Sequence, residues 1–598
     1  MHNRVVNTFV VQYSCTIMQE LNGISVSPGI AIGKAFLYID ETPNIPRYRV
    51  QKQDLEGEFE RLRSAIDRAL EELENIRSGP AAQSTNAPKF LDSHLLMLQD
   101  ESFIGEIRSE VEHSRFNVEW VLRRNSQKLA SKLASSNDEY LRDRSVDIHD
   151  VAKRLLDHLM FRERISLADL SSEVILVAHD LLPSDAISMN KRMIRGIVLD
   201  AGGKTSHTAI LARSFEIPAV LGLSNITSLI RTGEELIVDG NRGRVVTKPT
   251  AKLREQYERK QSEWQRREVH LMGLNDLPAE TRDGKLIQLK ANIEVPEEVE
   301  AVLSHGADGV GLYRSEFLFM RPGPLPDEEE QFSAYATVLK SMDDKPVTIR
   351  TLDLGADKIA RSLGENDDDN PILGWRAIRL CLSMPELFRT QLRALYRASV
   401  FGELRIMFPM ISGIEELSQA LEMLESVKSD LKREKVAFRE DIPVGIMIEV
   451  PSAAMTADIL ARKADFFSIG TNDLIQYTLA VDRGNEKIAY LYEPFHPGVL
   501  RMLKLIIEGA HAKGLAVGMC GEMAGDPMST VVLLGLGLDE FSMGSVGIPE
   551  VKRIIRSVSM AEAEELVGSI LEMKSYVEID EFVAQYMEKN FELKLYES

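Results

Sequence analysis

The chain has 598 residues, of which 44% are hydrophobic and 27% charged, and a formal net charge of −21. That length calls for more than one domain, roughly three to five. The acidity argues against nucleic acid or an anionic membrane surface as a partner, and no apolar run approaches the ~20 residues of a membrane span, so no membrane insertion is expected.

Three cysteines, Cys15, Cys381 and Cys520, are too few and too scattered for a disulfide framework or a zinc site, and they fit a cytoplasmic location. In chain order, Val5–Tyr13 is mildly apolar but broken by Asn7, Thr8 and Gln12, unlike the clean apolar core of a signal peptide. Residues 1–20 are therefore expected to be a disordered extension, with Met18 as the initiator. Gly23–Tyr38, rich in glycine and β-branched residues, reads as strands. Gln53–Ile76 carries Leu55, Phe59, Leu62, Ala65, Ile66, Ala69, Leu70 and Leu73 at helical spacing against a charged face. Gly79–Pro88 is a loop, and Phe90–Leu98, Ile104–Val111, Val118–Leu133 and Asp147–Met160 read as further helices. They form a helical subdomain inserted over about residues 50–165, because Gly23–Tyr38 is too short to bury a core alone. Strands at Val174–Ala178, Gly196–Leu199, Leu236–Asp239 and Gly243–Val246 complete a domain over residues 21–247. Lys248–Leu274, rich in charge, reads as a connecting helix, with a linker over residues 248–275.

Beyond it, eight apolar strands alternate with helices: Leu286–Asn292, Gly309–Tyr313, Val347–Leu352, Leu404–Pro409, Val444–Glu449, Phe466–Ile469, Ala516–Met519 and Glu540–Met543. The intervening helices include Asp327–Leu339, Pro385–Ala398, Ile414–Leu431 and Gly498–Lys513. Eightfold strand–helix alternation implies a (β/α)₈ barrel over residues 276–598, with reactive groups at the C-terminal strand ends. The fold class is thus multidomain α/β, with the barrel as its second half.

The segment Gly196–Gly222, GIVLDAGGKTSHTAILARSFEIPAVLG, concentrates chemistry around His207. A strand leads through Asp200 and paired glycines to Lys204, Thr205 and Ser206, and then to a helical pattern. His207 is placed in a first helical turn, where free N–H groups and the helix dipole favour an anion. An imidazole there suits a covalent phosphoryl carrier. On the barrel, Arg314, Arg350, Glu449, Asn472, Asp473, Cys520 and Glu522 fall at or just after strand ends, with Arg376 and Arg483 on nearby loops. Arginines are the bidentate donors that a phosphate and a carboxylate require. Glu449 and Asp473 would repel such an anion unless a cation lay between them, and two protein oxygens plus substrate and water suit Mg²⁺. Taken singly, each residue has a bland alternative: a structural ion pair, a helix N-cap, or a cysteine acting as a small hydrophobe.

These motifs, together with Gly309–Phe319 (GVGLYRSEFLF), Ile349–Lys358 (IRTLDLGADK), Gly374–Arg379 (GWRAIR), Phe466–Gly484 and Gly518–Glu522 (GMCGE), resemble Enzyme I of the bacterial sugar phosphotransferase system, a phosphoenolpyruvate-utilising enzyme. The resemblance runs from about Asn22 to near the C-terminus. It implies phosphoryl transfer from phosphoenolpyruvate to His207 and on to the carrier protein HPr, with release of pyruvate. It implies substrate binding by Arg314, Arg350, Asn472, Asp473 and Arg483, with Arg376 contacting the phosphoryl group. It further implies Mg²⁺ on Glu449 and Asp473, protonation of enolpyruvate by Cys520, and a homodimer formed through the barrel. Glu522, two residues beyond Cys520, is a candidate for tuning the thiol. His94, Leu95, Leu96 and Met97 are candidates for the HPr-docking face, with at least half of them expected to be core. Two departures stand out: Lys204 replaces the family's usual arginine, and Leu182 its usual threonine. A dikinase of the same superfamily would need an ATP-binding domain for which the chain has no room, and the nitrogen-regulatory paralogue would need a sensory domain before Leu21. A catalytically dead scaffold would not need His207, the arginines and Cys520.

Overall fold

The computed structural model describes residues 18–38, 45–78, 94–95, 97–134, 139–160, 167, 170–181, 185, 189–190, 192–202, 208–209, 212, 217–319, 325–355, 370, 372–483, 485 and 487–591. The chain divides into two compact units, 1–267 and 268–598.

The first unit holds an eight-stranded sheet: β1 (Gln19–Asn22), β2 (Ile24–Ser27), β3 (Ile30–Tyr38), β4 (Val174–Ala178), β5 (Ile194–Leu199), β6 (Ala219–Leu221), β7 (Glu235–Asp239) and β8 (Arg244–Thr247). Their spatial order is β1-β8-β7-β3-β4-β5-β6-β2. Strands β3, β4, β5 and β6 run parallel and the remaining pairs antiparallel. Gln19 and Glu20, expected in a disordered extension, instead belong to β1 and pair with Thr247 and Val246. The rest of that extension, residues 1–17, lies outside the described residues. β6 was not anticipated, because three residues are too short for a periodic signal.

Between β3 and β4 stand the helices Leu55–Ser78, Glu101–Ser114, Val118–Ala134 and Glu139–Leu159. They bury an apolar core of their own, including Leu62, Leu73, Val111, Val121 and Leu155. His94 and Leu95 are buried in this layer and Met97 packs against it. His94 and Leu95 are therefore core, as expected for at least half of the docking-face candidates, and the His94 ring lies 4.0 Å from the buried Asp150 carboxylate. Leu96 lies outside the described residues.

The charged segment after β8 is a helix, Ala251–Met272. It is more than a solvated connector. Leu253 and Tyr257 pack on Ile237 and Val246 of the sheet, and the Gln261 amide donates to the Ile30 carbonyl at 2.7 Å.

In the second unit, β9 (Gln288–Ile293), β10 (Gly309–Arg314), β11 (Val347–Arg350), β12 (Leu404–Phe408), β13 (Val444–Ile448), β14 (Phe467–Ile469), β15 (Val517–Met519) and β16 (Glu540–Met543) close into a parallel barrel. This is the expected (β/α)₈ architecture, each strand lying within two residues of its sequence assignment. Strand starts and stops were legible because each apolar run is bounded by turn residues. The helices follow the same logic. Glu328–Met342 opens on an Asp327 cap that accepts from Glu329 and Glu330 N–H, with Glu330 bonding back to the cap. Alternate strand residues split the core. Ile406 and Phe408 face the helices, while Leu312, Met407, Met447, Phe466 and Cys520 form a separate apolar layer inside the barrel. Toward the N-terminal strand ends, the fully buried Lys290 and the partly exposed Arg405 share the Glu540 carboxylate.

Candidate active site

In the first unit, parallel strands β4 and β5 end side by side at His179 and Asp200. Asp200 is buried and accepts from the Ile226 N–H and the Thr227 hydroxyl. Its Oδ2 lies 3.5 Å from Nδ1 of the exposed His179. The Gly-rich segment leaves this edge through Gly202, at φ +100°, a backbone conformation that glycine adopts without strain. Thr208 and Ala209 are helical and buried. His207 itself, with Lys204 and Leu182, lies outside the described residues.

On the barrel, the C-terminal strand ends assemble a cluster of opposite charges. Arg350 closes β11, mostly buried. Its Nη2 lies 3.1 Å from Glu316 Oε1 and its Nη1 3.0 Å from Asp353 Oδ2. Arg376 binds the other Asp353 oxygen through Nη2 at 2.9 Å and Nε at 3.2 Å, and its Nη2 lies 3.3 Å from Asp473 Oδ2. Burial alone would lower the pKa of Arg350, but the carboxylates of Glu316, Asp353 and Glu449 raise it overall. Asp353 is buried as well, yet the two guanidiniums hold its carboxyl below the usual range.

Glu449 follows β13 and is almost fully buried. Its Oε1 accepts the Met410 N–H at 2.6 Å, an approach that holds Met410 at φ 57°, unusual for a side-chain-bearing residue. Burial first, then the nearby carboxylates of Asp353 and Asp473, push Glu449 up to about 8. A divalent cation would relieve that clustering, and the hard carboxylate oxygens of Glu449 and Asp473 suit Mg²⁺. Among the described residues no group of three or more His, Cys, Asp or Glu side chains is placed to hold a metal. A cation here would take its remaining ligands from substrate and water.

Asn472 and Asp473 open the helix Thr471–Leu479. The Asn472 amide exchanges two bonds with Glu522, donating to its carboxylate at 3.1 Å and accepting its N–H at 2.9 Å. Glu522 also lies 3.9 Å from the Arg483 guanidinium. Glu522 thus serves Asn472 and Arg483 and is itself exposed. The main charges acting on the Cys520 thiol are those of Arg350, Glu449 and Arg314, and the Ser468 side chain hydrogen-bonds it. Cys520 is buried at the end of β15, and burial pushes its thiol up. The Asn292 amide holds the Cys520 carbonyl at 3.0 Å. A Cβ on the next residue, Gly521, would meet the Thr471 hydroxyl at 1.8 Å, so glycine is what lets the cysteine strand end approach the Asn472–Asp473 helix. Arg314 closes β10 at the rim, half-exposed, with Nη1 2.6 Å from Glu294 Oε1.

The structure therefore brings Arg350, Arg376, Glu449 and Asp473 into one connected cluster, with Arg314, Asn472, Arg483 and Cys520 around the same strand ends. The sequence expectation missed Asp353, Glu316 and Met410. Asp353 had a visible signal, an acid three residues after Arg350 in a strand-end motif. Glu316 and Met410 act through burial and a backbone N–H, which residue type does not announce.

Three family models match the chain: PEP-utilising enzyme, N-terminal, over residues 22–144; PEP-utilising enzyme, mobile domain, over 170–243; and PEP-utilising enzyme, PEP-binding domain, over 269–560. The phosphoenolpyruvate-protein phosphotransferase of Priestia megaterium is 44% identical over 566 residues, spanning 94% of this chain and 98% of that protein. The chain belongs to this family of PEP-utilising enzymes. The Bacillus subtilis relative of the same name is 44% identical over 569 residues, 95% of this chain and all of that protein. The Haemophilus influenzae relative is 41% identical over 572 residues, 95% and 99% of the two chains.

Proposed function

We propose that this protein transfers the phosphoryl group of phosphoenolpyruvate to its own His207 and then to the histidine of HPr, the first step of sugar phosphotransfer. The observation that carries this reading is the barrel-mouth cluster: two buried guanidiniums, Arg350 and Arg376, beside the clustered carboxylates of Glu449 and Asp473. Arg314, Arg350, Asn472, Asp473 and Arg483 bind the substrate and Arg376 contacts the phosphoryl group. Glu449 and Asp473 would hold Mg²⁺, which when bound neutralises charge on the transferring group. Cys520, kept protonated by burial, gives its proton to the methylene carbon of the enolpyruvate left behind, forming pyruvate. In-line transfer needs reacting atoms within ~3–3.5 Å, so the unit carrying His207 must reach the barrel mouth and leave it again.

The test is incubation with Mg²⁺ and phosphorus-labelled phosphoenolpyruvate, wild type beside His207→Ala. Acid-labile, alkali-stable label on wild type alone is expected, with pyruvate released, loss of labelling on chelation of Mg²⁺, and drainage of the label by HPr. An unlabelled wild type contradicts the reading.

The protein further acts as a cytoplasmic homodimer joined through the barrel. No helix among the described residues is long and apolar enough to cross a membrane. The adjoining helices Pro451–Met455, Ala457–Leu460 and Pro497–His511 expose Met455, Ile459 and Leu505 to water, apolar surface that a partner copy would cover. Sedimentation is expected to give twice the chain mass for wild type and the single-chain mass for Leu505→Glu. An unchanged mass for the variant moves the interface elsewhere.

A further inference from the structure

We propose that Asp353 is the positioning residue that sets the Arg376 guanidinium, which meets the phosphoryl group, at a fixed spacing from the substrate-binding guanidinium of Arg350. This inference rests on the reading of the barrel mouth as a phosphoenolpyruvate site.

Asp353 stands between the two arginines and gives one oxygen to each: Oδ2 to Arg350 at 3.0 Å, Oδ1 to Arg376 at 2.9 and 3.2 Å. Its own position is fixed twice over. Its backbone N–H donates to Glu316 Oε1 at 2.9 Å, the same oxygen that holds Arg350 Nη2. The segment that follows is tied to the chain at Arg376 by a Gly355–Arg376 bridge and by the Ala377 N–H donating to Leu354 O at 3.2 Å. Asp353 is the one carboxylate that touches both arginines among the described ion pairs. Arg350 Nε is buried without a hydrogen-bond partner among the described residues.

The physics gives this carboxylate a purpose. Two guanidiniums brought together in a low-dielectric site repel each other. A shared carboxylate cancels part of that repulsion and occupies a defined edge of each planar fork, so the remaining edges are oriented before the substrate arrives. Preorganised donors of this kind pay no reorganisation cost when charge develops on the transferring group. A carboxylate with only a structural role would affect stability, and with it every ligand of the site alike. One that spaces the arginines affects ligands that carry a phosphoryl group and spares those that do not.

The test uses the full-length chain in a His207→Ala background, where bound phosphoenolpyruvate does not turn over. Dissociation constants for phosphoenolpyruvate and for oxalate, a dicarboxylate without a phosphoryl group, are measured with Mg²⁺, with and without Asp353→Asn. Asparagine keeps an acceptor for one arginine and turns an amide N–H₂ toward the other. The expected result is a phosphoenolpyruvate constant raised by about 10- to 100-fold with that for oxalate essentially unchanged. Equal losses for both ligands, or no loss for either, overturn the proposal. If Asp353→Asn does not fold, Asp353→Glu, which keeps the charge but lengthens the reach, is judged by the same pair of constants. A His207→Ala parent that binds no phosphoenolpyruvate overturns the functional reading itself, a failure distinct from an Asp353 variant that binds as its parent does.

Discussion

Arg350→Ala is expected to lower the stability of the barrel by about 3–5 kcal/mol and to abolish turnover, because it strips the guanidinium from two buried carboxylates at once. Glu316 and Asp353 both lie against Arg350, and both are buried. Removing the cation leaves them with the desolvation cost and without the partner that repays it. Arg376 still serves Asp353, but no other guanidinium contacts Glu316 among the described ion pairs. The deficit should depend on pH, with a definite sign. Carboxylates left in a dry site have folded-state pKa values raised above the unfolded ones, so the folded variant takes up protons more readily as pH falls. Denaturant melts of wild type and variant should therefore differ more at pH 8 than at pH 5. A melt unchanged at both values would mean that the carboxylates find other compensation. Arg350→Lys is expected to recover part of the stability and little of the activity, since an ammonium keeps the charge but lacks the fork that reaches Glu316 and Asp353 together.

The second large effect is expected at Cys520. Cys520→Ala should leave a single round of phosphoryl uptake by His207 close to wild type while slowing pyruvate formation by about 10²- to 10⁴-fold, the usual worth of a positioned general acid. The substitution is small and falls in an apolar layer, so the fold tolerates it. If Cys520 is the proton donor, the chemistry does not, because burial raises the pKa of the wild-type thiol and so favours its protonated form. Rapid-quench measurement of label on the protein, run beside detection of pyruvate, separates the two steps. Pyruvate formed at the wild-type rate by Cys520→Ala would assign the proton to another group.

The barrel was legible in the sequence because strand–helix alternation is a local pattern repeated many times, and each repeat is bounded by its own turn residues. The placement of its candidate site was legible for the same reason: once strand ends are placed, Arg314, Arg350, Glu449 and Cys520 fall on one side by construction. What the sequence concealed is how these groups hold one another. That Asp353 bridges two arginines depends on a loop returning beside β11. That Glu449 is anchored depends on a backbone N–H of Met410, and any residue type supplies an N–H. The helical layer of the first unit was legible only in part. Of the four docking-face candidates, His94 and Leu95 are buried by neighbouring helices, in line with the expectation that at least half are core, but amphipathic spacing could not say which of the four belong to the fold and which to a partner. Glu522 looked close to Cys520 because it is two residues away, but the turn at Gly521 sends its side chain to Asn472 instead.

The apolar layer inside the barrel has one polar gap beside the thiol. Around Cys520 lie Leu312, the thioethers of Met407 and Met447, and the Phe466 ring, none of which relays a proton. The buried Ser468 hydroxyl, by contrast, hydrogen-bonds the Cys520 side chain. If Cys520 gives up its proton as proposed, the thiolate left behind keeps a hydroxyl donor at its side, so Ser468 steadies the spent acid until a proton returns.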